Sequence, residues 1–143
     1  MGNRAVITAS KSRDVAKSND IGIYLHWNGG RDSIEAFLKY CELKRYRSPS
    51  YDNYGWARLC QVIGNFFGGG NSIGIDNCCH LDCNNWDNGV YIIDGWKIVG
   101  RQYYDGAERN TYDLYEMLLK IDKAQPTMEQ LGEEKIKELL EKE

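Results

Sequence analysis

Three stretches of the chain carry residue types suited to gripping an anion. The first is His26-Trp27-Asn28-Gly29-Gly30-Arg31-Asp32-Ser33, between a predicted strand and a predicted helix. A glycine turn at such a junction bares backbone N–H groups where the helix dipole favours negative charge. Arg31 adds a planar cationic fork and Trp27 a stacking face. The Gly-Lys-Ser/Thr ending of a Walker loop is absent. The plainer alternative is a tight turn with Arg31 on the surface.

The second stretch is Tyr51-Asp52-Asn53-Tyr54-Gly55-Trp56-Ala57-Arg58. Tyr54 and Arg58 lie four residues apart and share a helix face, so ring and cation can pair there. The alternative is a surface contact on an ordinary amphipathic helix. The third stretch, Arg101-Gln102-Tyr103-Tyr104-Asp105-Gly106-Ala107-Glu108-Arg109-Asn110, reads as a polar, aromatic loop of functional character. Its alternative is a linker whose tyrosines pack under the last helices.

Metal and nucleophile chemistry are less well supported. Cys78, Cys79, His80 and Cys83 could begin a zinc site, but a closed site usually needs two ligand pairs, and no second pair follows. A cysteine nucleophile with His80 as base lacks an orienting third group. Asp76, Asp82, Asp87 and Asp105 fall in loops with no acid–base spacing. The expectation is therefore a binding protein with no catalytic residue, metal or cofactor.

Energetics demand that the stretches converge. Charge-assisted bonds from arginine to phosphate are worth roughly 1.5–3 kcal/mol each, and a base stack roughly 1–3. Sub-micromolar binding needs more than about 8 kcal/mol after ordering costs. One loop falls short, so several, from one subunit or two, must meet.

Hydrophobic patterning sets the elements that would position these residues. Strands are expected at 3–8, 20–26 and 72–76. A helix capped by Asp32 or Ser33 should run to about Arg45, with Ile34, Phe37, Leu38 and Cys41 inward. A second helix should span Asn53–Phe67 and stop at Gly68-Gly69-Gly70. Residues 89–93 and 96–100 flank Asp94-Gly95, a type I′ hairpin signal. Residues 77–88 and 101–110 read as loops, and 111–124 and 127–142 as a C-terminal helical pair parted near Pro126. The result is an α+β domain: a mostly antiparallel sheet with helices on one side. Residues 1–143 form one ligand-binding domain, with 111–143 a helical extension suited to oligomer contacts.

The 143 residues suffice for one core, and the net charge of −3 argues against a duplex nucleic-acid partner. No apolar run suggests a signal peptide or membrane span. Five cysteines, an odd number, suggest a reducing cytoplasm, with Cys41 and Cys60 as buried thiols.

The strings DIGIYLHWNGGRDS, NYGWARLCQVIGNFFGGG and GVYIIDGWKIVGR resemble the first Thoeris anti-defence family of small phage and prophage proteins, over residues 3–104. That resemblance implies a sponge that sequesters cyclic ADP-ribose isomers made by TIR enzymes, without cleaving them, in the cytoplasm of an infected host. It also implies a homo-oligomer, from a dimer to a hexamer, and in some members a second site for cyclic oligonucleotides. The carry-over covers Trp27, Asn28, Gly29, Gly30, Arg31, Arg58, Arg101, Tyr103 and Arg109. On this reading Arg31, Arg58 and Arg109 hold pyrophosphate, Trp27 and Tyr103 stack adenine, and the Gly29 and Gly30 amides meet anionic oxygens. The rivals are a protein-binding inhibitor of anti-CRISPR type, using the acidic helix 127–142, and a small cyclic-nucleotide hydrolase using His26 or His80.

Overall fold

Alternating apolar residues build the strands, and the apolar stripes of the helices close over one side of them. The computed structural model describes residues 2–49 and 52–142. Strands β1 (Ala5–Thr8), β2 (Ile21–Leu25), β3 (Ile73–Asn77), β4 (Val90–Asp94) and β5 (Lys97–Gln102) form one sheet in the order β3-β2-β1-β4-β5. All neighbours are antiparallel except the central pair β1 and β4. Helices α1 (Arg31–Leu43), α2 (Asn53–Phe67), α3 (Tyr115–Ala124) and α4 (Glu133–Glu141) complete the α+β fold.

The period-two pleat sorts the side chains. Ala5, Ile7, Ile23, Leu25, Tyr91 and Ile93 point to the helices and join Phe37, Leu59, Leu118, Ile121 and Ile136 in the main core. Val6 and Val90 point the other way and meet Val15, Cys78 and Cys83 in a second, smaller core. Two loop segments cover that face, each with a short 3-10 turn, at Val15–Lys17 and Cys78–His80. No helix among the described residues is long and apolar enough to cross a membrane.

Several local details differ from the sequence reading. Gly30 is the N-cap of α1 and supplies no side chain; Asp32 instead accepts from the Ser33 amide. The helix stops at Leu43, and Arg45 takes a φ of 59°. Register places Asp94 opposite Lys97, so the hairpin turn is Gly95-Trp96. Only Gly95 has a positive φ there, which marks a II′ rather than a I′ turn. Strand β5 also runs on to Gln102, so Arg101 belongs to the sheet and not to the loop. Residues 111–114 are not helical, and Gly132 at φ 87° separates a 3-10 turn at Thr127–Glu129 from α4. Cys60 is only half-buried, whereas Cys78 and Cys83 join Cys41 as buried thiols.

A buried carboxylate ties the helical pair to the rest. Asp122 accepts from the Tyr40 hydroxyl at 2.6 Å and from the amides of Leu131 and Gly132 at 2.7 and 2.9 Å. Burial, reinforced by that carboxylate, pushes the Tyr40 phenol well above its ordinary pKa. Removing the acceptor strands a buried hydroxyl and frees the start of α4. Asp122→Ala should cost about 3 kcal/mol in urea denaturation, and Tyr40→Phe only about 1.

Candidate anion-binding site

Strand register brings the central cation into place. Arg101 on β5 lies opposite Tyr91 on β4, so both side chains share the helix-facing side of the sheet. The Arg101 guanidinium carbon sits 3.9 Å from the Tyr91 ring centroid and 3.8 Å from that of Tyr104. Two rings at that separation cannot occupy one face of a guanidinium, so the cation lies between them. Its side chain is only 9% exposed. Nη2 donates to the Asn88 carbonyl at 2.5 Å and Nη1 to Glu108 Oε1 at 2.6 Å. Nε is buried with no acceptor in reach. An unmet buried donor costs about 1–3 kcal/mol.

A second arginine reaches the same carboxylate. Arg31 opens α1, donates from Nε to Glu35 at 3.0 Å, one helical turn on, and from Nη1 to Glu108 Oε2. Its side chain is 12% exposed. Burial alone would lower its pKa, but Glu35 and Glu108 together hold it above the ordinary value. Glu108 thus gives one oxygen to each arginine, as a phosphate would. It comes from an irregular segment, 103–114, in which residues 105–111 are all exposed.

The turn before α1 is fixed by close packing. A Cβ on Gly29 would come within 2.4 Å of the Asn3 carbonyl and 2.8 Å of the Ala5 Cβ. The Gly29 amide donates to that same Asn3 carbonyl at 2.8 Å, and its carbonyl accepts from the Tyr91 hydroxyl at 2.6 Å. Tyr91 therefore fixes the turn with its hydroxyl and Arg101 with its ring.

Tyr104 also lines a hollow of about 300 Å³ shared with Asn84, Trp86, Asp87, Tyr103 and Asp105. Trp86 is 86% exposed. Both Trp86 and Tyr103 have left-handed backbones, with φ of 63° and 57°. Such strain in bulky residues costs of order 1–3 kcal/mol and clusters at binding sites. The Tyr103 hydroxyl donates to Asp14, which ties the hollow to the loop before the first 3-10 turn.

Of the residues expected at a ligand site, the fold joins Arg31 and Arg101 and sets Tyr103 in the adjoining hollow. Trp27 is exposed and meets His26 edge-on at 5.0 Å. Asn28 adopts φ 56° and reaches Ser33 Oγ at 3.4 Å. The Gly29 amide is committed to Asn3, so it does not face an anion. The Gly30 carbonyl accepts from Ile34 as the first bond of α1. Arg58 pairs with Gln61, whose amide reaches Glu129, at the α2 end of the molecule. Tyr54 carries Arg47 over its ring at 4.8 Å and not Arg58. Arg109 stacks on Tyr112 at 4.9 Å. The expected trio of Arg31, Arg58 and Arg109 is not assembled within one chain. Tyr51 lies outside the described residues. Comparison with family models, curated proteins and solved structures returns no match.

The cysteine-rich loop is organised for packing. Cys83 Sγ lies 3.5 Å from the Cys78 carbonyl, Cys79 Sγ lies 3.4 Å from Asn19, and His80 Nδ1 pairs with Asp76 at 3.1 Å. No group of three His, Cys, Asp or Glu is gathered for a metal among the described residues. Burial pushes the thiols of Cys41 and Cys78 up, and that of Cys83 up to about 11. The thiolate is the reactive form. At pH 8, iodoacetamide should therefore label Cys79 first, and Cys41, Cys78 and Cys83 only on unfolding, as peptide mass spectrometry would show.

Proposed function

We propose that the protein captures a small phosphate-bearing nucleotide and holds it intact, with phosphate oxygens on Arg31 and Arg101. One observation carries the reading: two shielded guanidiniums converge on a single carboxylate supplied by an exposed, irregular segment. Glu108 stands where a ligand phosphate would sit. An incoming phosphate replaces it oxygen for oxygen. The neighbouring hollow offers Trp86, Tyr103 and Tyr104 to a base.

Capture rather than cleavage is favoured by where the histidines sit. His26 Nδ1 bonds the Tyr24 hydroxyl at 2.9 Å and His80 pairs with Asp76. Neither is bonded to the arginine pair, and each ring nitrogen named is engaged by a neighbouring side chain. Within the resemblance to Thoeris anti-defence proteins, the ligand is a cyclic ADP-ribose isomer and the effect is removal of an immune signal. Arg58 then belongs to the site only where a second copy brings it, whereas Arg109 lies on Tyr112, four residues beyond Glu108.

Calorimetry with cyclic ADP-ribose and with ADP tests the reading. Arg101→Ala and Arg31→Ala should each weaken binding at least tenfold, about 1.4 kcal/mol. Glu108→Gln removes the internal competitor and should tighten binding about three- to tenfold. Heat denaturation of the complex should return unaltered ligand by mass spectrometry. Binding indifferent to both arginines, or recovery of a cleaved product, would overturn the proposal.

A further inference from the structure

A second recess reaches the arginine pair through Glu35, the carboxylate bonded to Arg31. It is a cleft of about 400 Å³ between α1, β5 and residues 110–115. Small-molecule sites commonly span roughly 300–1,000 Å³. Its walls include Trp96, Tyr112 and Tyr115, with Lys39 and Lys97 beside them. Glu42 holds both ammoniums, at 3.0 and 3.3 Å. Trp96 is fixed by its Nε1 donating to the Tyr46 carbonyl at 3.0 Å. The walls therefore combine ring faces with polar groups, which suits a nucleobase or nucleoside better than a plain hydrocarbon.

Two links join this cleft to the anion site. Glu35 lines the cleft and accepts from Arg31 Nε. Tyr112 lines it too and lies four residues beyond Glu108 on the same irregular segment, with Arg109 stacked on its ring. Tyr104 both covers Arg101 and lines the Trp86 hollow. The order through contacts is hollow, Tyr104, Arg101, Glu108, Arg31, Glu35, cleft. Each cation is thus linked by contact to its own aromatic recess.

Resting on the proposed phosphate site, we infer that the protein also takes two-ended ligands, a pyrophosphate with a ring system on each side, and that the α1–β5 cleft takes the second ring. A one-ended nucleotide would fill the arginine pair and the hollow, leaving the cleft unused.

The probes are ADP, with one ring, and diadenosine diphosphate, with two. The wild-type protein should bind the two-ended probe about tenfold more tightly, the worth of one added stack. Tyr112→Ala should erase that advantage and leave ADP affinity unchanged, whereas Tyr112→Phe should keep it. Trp86→Ala should weaken both probes alike. Equal affinity of the wild type for both probes, or an equal loss for both in Tyr112→Ala, would sink the two-ended ligand alone. ADP binding that ignores Arg101→Ala would remove the phosphate site, and this inference with it.

Discussion

Two guanidiniums cannot be held side by side, shielded from water, unless an anion lies between them. Arg31 and Arg101 are nearly out of solvent, and Glu108 supplies that anion from the chain itself. Much of the local architecture follows. Tyr91 faces Arg101 across two strands and bonds the glycine turn that starts α1. The turn delivers Arg31. Glu35, one helical turn later, balances it. With two cations and two carboxylates the cluster is neutral, and only Glu108 belongs to an exposed, irregular segment. On the proposed reading, the charge that stabilises the cluster is therefore also the charge a ligand would displace.

Exchange of that kind costs less than creating a site from nothing. Arg101 is also held by the Tyr91 ring and the Asn88 carbonyl, contacts that do not involve Glu108. Preorganised cations lose little side-chain freedom on binding, and the anion they meet gains more of its interaction energy as affinity. The large core beneath, with α3 and α4 fastened through Asp122, gives those side chains a stiff base.

The sequence disclosed the frame more fully than the site. Period-two and 3.6-residue patterns locate every strand and helix, because each buries one face against the same core. Boundaries fail where backbone geometry decides: Gly95 takes a II′ turn, Gly132 breaks the C-terminal pair, and Gly30 caps α1 without a side chain. Arg31 and Arg101 stand out from residue type alone. Their true partners do not. Tyr91 reads as a core residue on an alternating strand, and its stacking on Arg101 follows from a cross-strand register that no local pattern reveals. Glu108 looks like one more acidic residue in a polar loop. Trp86 carried a usable signal, a large ring set among Asn and Asp, where a core cannot form. Arg58 and Arg109 suit a phosphate by type, but within one chain helix and loop point them to Gln61 and Tyr112, placements that no local pattern reveals.

The central strand pair has a consequence for how the molecule is assembled. β1 lies in the middle of the sheet, yet residue 6 meets residue 90 there, with β2, α1, α2 and β3 all intervening. Closing so long a loop costs entropy before any pairing offsets it. A nascent chain can form β1, β2 and the first helices early, but one flank of β1 stays open until β4 emerges. Arg101, on β5, emerges later still. Arg31 and Arg101 can thus meet only once β5 has joined the sheet, which couples the proposed site to a late stage of folding.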